Sequence, residues 1–329
     1  QDRGTQTICK NVKMLSYQDT YYSNEPNGKG QFYFEDSEIH GTVDYVCGGG
    51  DVYFNRVLFV NESRKEGEKN GEDVIAAPNS KSEWGYIFKD CTIENKAKAF
   101  SLGRSWNNIT RLTWLNTTVN QKDEILNDDT KYAYFTINAM GDAIADKFRL
   151  DVLKDAEGNV FSPAEKKVVF KNSGATQQKA EENIILTAEE AATYTLDAVF
   201  GDWKPEVKSA QAAAPAATLK DGTLSWTGEA KMYLVSKDGK FYALTSENSL
   251  AVEGEGSFTV RAANEMGGFG RADNSTDTGI ENIATSSDVL STKIYSADGV
   301  QASKLQRGIN IVVKTMTDGS KKTSKVVLK

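Results

Sequence analysis

Two aspartates in this chain stand where carboxylate chemistry could be done. Asp19 lies in Tyr17-Gln18-Asp19-Thr20, and Asp44 lies in Gly41-Thr42-Val43-Asp44. Each follows a short unit of one pattern: Asp19 is five residues past Met14, and Asp44 is five past Ile39. Two carboxyl groups held side by side cannot both ionise freely. One then stays protonated as an acid while the other works as an ionised nucleophile or base. The competing reading is a pair of turn aspartates capping strand ends, where loop Asp residues commonly sit.

The elements that must position them form a repeat. It is carried by Cys9-Lys10-Asn11-Val12-Lys13-Met14, Phe34-Glu35-Asp36-Ser37-Glu38-Ile39, Phe54-Asn55-Arg56-Val57-Leu58-Phe59, Phe88-Lys89-Asp90-Cys91-Thr92-Ile93 and Trp114-Leu115-Asn116-Thr117-Thr118-Val119. Each reads large apolar, polar, usually Asn or Asp, small, polar, apolar. The first two copies start 25 residues apart. Short β-rich units repeating at roughly 20–35 residues, with no helical period, predict a β-solenoid. Its rungs stack at about 4.8 Å, so residues in the same register on adjacent rungs are neighbours. Asp19 and Asp44 are expected to be such a pair.

The rest of the composition excludes several classes. The chain has 329 residues, 39% of them hydrophobic, with 14 Phe and 13 Tyr, so a substantial core can form. A net charge of −7 argues against nucleic acid as a partner, since phosphate binding needs a basic face. No run of about 18 apolar residues is present to span a membrane. Cys9, Cys47 and Cys91 are widely spaced and odd in number, and are read as buried free thiols. The single histidine, His40, rules against a histidine-rich metal centre or a Ser-His-Asp triad and is read as a rung-face residue.

Three ordered motifs bring in a family. Tyr17-Gln18-Asp19-Thr20-Tyr21-Tyr22, Gly41-Thr42-Val43-Asp44-Tyr45-Val46-Cys47-Gly48 and Leu102-Gly103-Arg104-Ser105-Trp106 resemble the signature motifs of pectin methylesterases. Leu186-Thr187-Ala188-Glu189-Glu190-Ala191 with Tyr194, then Phe200-Gly201-Asp202-Trp203-Lys204-Pro205, resemble the segment that closes that catalytic domain. The resemblance implies a right-handed parallel β-helix; with two small β-sandwich-like domains read from the alternating runs further along, the chain is expected to be all-β. It implies removal of methyl groups from esterified homogalacturonan in a long groove, with no cofactor and no metal. By position it makes Asp44 the nucleophile, Asp19 the general acid/base, Gln18 an oxyanion-stabilising amide and Arg104 the residue that orients Asp44. Trp106 and Tyr22 match aromatic groove residues that contact the sugar, and Tyr45 is a further candidate that either lines the groove or packs.

The chemistry of these residue types agrees. A guanidinium favours the ionised carboxylate and fixes its geometry. A protonated Asp19 can hand its proton to departing methoxide, then accept one from the hydrolytic water. A preorganised amide donor at the oxyanion contributes roughly 3 kcal/mol. Departures from the family pattern are Ser105, where proline is usual, and Cys47, where phenylalanine is usual. Only 17 residues precede the Gln18-Asp19-Thr20 motif. A fragment lacking early rungs and a second glutamine is therefore expected, with no secretory leader visible.

Residues 1–205 are assigned to the β-helix and 206–217 to an Ala-rich linker. Residues 218–264 alternate apolar and polar in short runs and resemble a fibronectin type III module. Residues 265–285 read as a second linker, and 286–329 resemble the sorting domains of secreted Bacteroidetes proteins. A secreted, periplasmic or cell-surface protein is expected, acting as a monomer because the groove must admit a polymer. A non-catalytic pectin-binding solenoid is the alternative. A polysaccharide lyase or polygalacturonase fits the motifs less well.

Overall fold

The computed structural model describes residues 1–25, 29–79, 82–127, 132–136, 138–139, 144–168, 171–172, 182–270, 272, 289–296, 301–302, 308–316 and 321–328. The repeat folds as a parallel coil of three sheets. The flank sheet stacks Gln6–Lys10, Gln31–Glu35, Asp51–Asn55, Tyr86–Lys89, Ile109–Leu115 and Ile144–Leu150 in that order. The base sheet stacks Lys13–Leu15, Glu38–Gly41, Leu58–Asn61, Thr92–Asn95, Thr117–Val119 and Leu153–Lys154. The groove sheet holds Tyr21–Ser23, Val43–Gly48, Glu72–Pro78 and Ala99–Gly103. All of these pairings are parallel, so the fold is the expected parallel β-helix.

The repeat is a register. Cys9 pairs with Phe34, Phe34 with Phe54, Phe54 with Phe88, and Phe88 with Trp114. These side chains point inward and stack, with ring centroids 4.9 Å apart for Phe34–Phe54, 4.7 Å for Phe54–Phe88 and 3.8 Å for Phe88–Trp114. The last unit residues, Met14, Ile39, Phe59, Ile93 and Val119, form a second inward ladder in the base sheet. Between them the chain turns a corner through the left-handed region at Asn11, Asp36, Arg56, Asp90 and Asn116, with φ from 48° to 54°. Asn and Asp tolerate that conformation better than other non-glycine residues, which explains their recurrence at the third position. The corners also bond to each other: Asn116 Nδ2 donates to Asp90 Oδ1 at 2.6 Å, and Arg56 Nε to Asp36 Oδ1 at 2.8 Å. Cys47 and Cys91 are buried, Cys9 is half-buried, and all three are free thiols.

A second core covers the outer face of the flank sheet. Tyr33, Tyr53, Ile87 and Leu115 alternate with the inward ladder and pack against Val199, Phe200 and Trp203. The covering segment contains the short helices Ala188–Ala191 and Leu196–Phe200. The first opens with a capping box between Thr187 and Glu190, and the second with Thr195 accepting from the Ala198 amide.

Two three-stranded antiparallel sheets follow. Thr218–Lys220, Thr223–Ser225 and Ser249–Ala251 form one; Lys240–Thr245, Tyr233–Lys237 and Phe258–Ala262 form the other. They share a core of Leu224, Trp226, Tyr233, Val235, Val260 and Ala262. The Ala-rich stretch before them is tied to this unit: Ala212 packs on its core and Asn264 Nδ2 donates to the Ala210 carbonyl at 3.1 Å. Val289–Ser296, Gln301–Ala302, Gly308–Met316 and Lys321–Leu328 form a four-stranded antiparallel sheet. Most of the second expected linker, residue 271 and residues 273–285, lies outside the described residues.

Candidate active site

Asp44 owes its position to an irregularity in the groove sheet. Val43 pairs with Val74 and Val46 with Ala76, so Asp44 and Tyr45 together face Ile75 in a β-bulge. Asp44 has φ 50°, and the extra residue turns its carboxyl outward while Tyr45 turns inward. Gly41 makes room for this, because a Cβ there would lie 2.1 Å from Tyr45 Cβ and 2.8 Å from the Tyr17 carbonyl.

Arg104 grips Asp44 in a bidentate pair along one edge of its guanidinium. Nε donates to Oδ1 at 2.9 Å and Nη2 to Oδ2 at 2.7 Å. Arg104 follows the strand two rungs above Asp44, so its side chain must cross the rung between, a reach of about 10 Å at ordinary strand spacing. On that rung the register carries Ile75 opposite the bulge and Ala77 opposite Cys47. Burial pushes the Asp44 carboxyl above the ordinary carboxylate range; Arg104 opposes that shift and the charge of Asp19 adds to it.

Asp19 is the neighbour that the register requires. Tyr21 pairs with Val46 and Tyr22 with Cys47, an offset that sets residue 19 opposite residue 44. Asp19 shares the left-handed conformation at φ 51°, and its carboxyl is exposed. It also lies against the Cys47 thiol, which burial and then Asp19 raise well above the ordinary cysteine range. Gln18 is exposed beside it. The Tyr22 and Trp106 rings approach to 5.9 Å between centroids and are half-buried at one end of this surface. The turn carrying Trp106 is pinned by its amide on the Pro78 carbonyl at 2.9 Å, and by Thr110 donating to Ser105 Oγ at 3.0 Å.

One expected groove residue is not there. Tyr45 is fully buried among core side chains, with its hydroxyl donating to Asn61 Oδ1 at 2.9 Å. The bulge that turns Asp44 outward drives its neighbour inward, so Tyr45 packs rather than meeting a ligand.

The pectinesterase family model matches residues 2–127, the stretch that holds the bulge, the aspartate pair and Arg104. Pectinesterase A of Dickeya chrysanthemi is 28% identical over 222 residues, covering 61% of this chain and 55% of that protein. Pectinesterase 2 of Olea europaea is 32% identical over 106 residues, covering 31% of this chain and 26% of that protein. Among solved structures, pectin methylesterase PemA from Erwinia chrysanthemi aligns at 24% identity with a TM-score of 0.37, over 61% of this chain and 59% of its own. The chain thus spans about half the length of its bacterial relative. Residues 2–127, with their stacked rungs and paired aspartates, are similar to the pectinesterase family.

Proposed function

We propose that this chain hydrolyses methyl esters of galacturonate in homogalacturonan, releasing methanol, by covalent catalysis at Asp44. The carrying observation is the bidentate clamp of Arg104 on a carboxylate that is 6% exposed. A structural ion pair on a solvated face does not need a bulge to form. In this reading ionised Asp44 attacks the ester carbonyl, and Gln18 donates its amide N–H to the oxyanion. Protonated Asp19 gives its proton to the departing methoxide, leaving a mixed anhydride on Asp44. Asp19, now a carboxylate, takes a proton from water as that water attacks the anhydride, and both aspartates return to their starting states. Tyr22 and Trp106 offer flat faces to the sugar rings at one end of the groove. A polymer of this size is met outside the cytoplasm, which supports a secreted or cell-surface location.

The test is methanol release from highly methylated homogalacturonan by the chain and by Asp44→Ala. Release that falls by about three orders of magnitude or more in the variant supports the reading. Release that is equal in both, or absent from folded wild-type protein, overturns it.

A further inference from the structure

The outer face of the flank sheet, away from Asp44, carries a second concave site. A cavity of about 190 Å³ opens there, lined by Glu83, Trp84, Arg111, Thr113, Lys147 and Tyr194. Arg111 and Lys147 are direct register partners on adjacent strands. Leu112 and Phe148, the next residues along, are buried in the coil, so both cations project outward on one face. Like charges directly opposite each other in a sheet repel. Among the described residues neither cation has an ion-pair partner, and Glu83 is the one carboxylate lining the cavity. Two cations are thus held together against their mutual repulsion, in a cavity with a net positive lining.

The walls are fixed in place. The Trp84 ring meets Tyr194 edge to face at 5.5 Å between centroids. The amides of Trp84 and Gly85 both donate to Asp51 Oδ1 at 2.8 Å, and the Tyr194 carbonyl accepts from the Tyr53 hydroxyl at 3.0 Å. A rigid half-buried indole next to paired cations matches a ligand with one carboxylate and one apolar face. We propose that this cavity binds a uronate unit, its carboxylate between Arg111 and Lys147 and its pyranose ring against Trp84. The choice of polymer rests on the proposed activity: removal of methyl groups creates the free carboxylates that this site would select over the ester. The flank site would then hold the de-esterified part of a chain on a different face of the coil from the groove.

The experiment is calorimetric titration of the full chain with galacturonate trimer, as the free acid and as the methyl ester. Wild type is compared with Arg111→Gln/Lys147→Gln, with Arg111→Lys/Lys147→Arg and with Trp106→Ala, whose groove is impaired. The expected result is free-acid binding by wild type, Trp106→Ala and the charge-retaining variant, at least tenfold weaker in the Gln/Gln variant and for the ester. Methanol release by the Gln/Gln variant should match wild type, so failure of this site and failure of the esterase reading are seen separately. Equal free-acid affinity in the Gln/Gln variant with an unchanged melting temperature overturns the proposal. So does loss of binding in Trp106→Ala alone, or no free-acid binding by wild type.

Discussion

At the scale of single residues, Asp44 is set between two opposed influences. Burial favours its protonated form, while the Arg104 guanidinium favours the carboxylate that nucleophilic attack requires. Removing the cation leaves burial unopposed. Arg104→Gln should therefore move the acid limb of the pH–kcat/KM profile to higher pH. An unmoved limb would mean that Arg104 does not set the charge on Asp44. A different acid, Asp73, is fully buried on the groove sheet; burial lifts its carboxyl to about 7, against the pull of Arg64 Nη2 at 3.1 Å. Its folded pKa lies above the unfolded value of about 3.9, so its contribution to stability is full below that pH and is lost as pH rises through about 7. Asp73→Asn should flatten the fall in melting temperature between about pH 4 and pH 8, measured as a difference from wild type. The two aspartates, Arg104, Tyr22 and Trp106 were legible as residue types in ordered motifs. Tyr45 was not, because alternation along a strand cannot reveal a bulge that shifts its phase between Asp44 and Val46.

At the scale of elements, the repeat in the amino-acid sequence is the stacking register itself, so the coil could be read before it was seen. The offsets between repeat units, from Cys9 to Phe34, Phe54, Phe88 and Trp114, reappear as strand partners. Asn and Asp at the third position marked the corners, but their left-handed backbone was hidden until the turns were seen. The helices that cover the flank sheet were not read from the sequence; the structure shows the first opened by a capping box between Thr187 and Glu190, and both packed on outward apolar residues such as Tyr33 and Ile87. Phe88 stacks on both Phe54 and Trp114, so its loss opens a hole in the middle of the ladder. Phe88→Ala should cost about 3–5 kcal/mol in urea unfolding, with an unchanged m-value. A loss under about 1 kcal/mol would mean the stack tolerates collapse at this point.

At the scale of the whole molecule, the coil and the following sandwich bury separate sets of side chains. Calorimetry of the full chain should therefore show more than one transition. Phe88→Ala should lower the coil transition and leave the one that reports on Trp226 and Tyr233 in place; a single transition that moves as a unit would contradict this division. The Ala-rich stretch, read as a free linker, is partly docked through Ala210 and Ala212, a contact that composition cannot disclose. Arg104 reaches Asp44 across an intervening rung, which bears on how such a protein can change. Its chemical centre is assembled across the rungs, at right angles to the path of the chain. Successive rungs differ in length, and the surplus is discharged in turns such as residues 62–71. Loop growth can therefore reshape the walls and the polymer they accept while the reacting atoms keep their spacing.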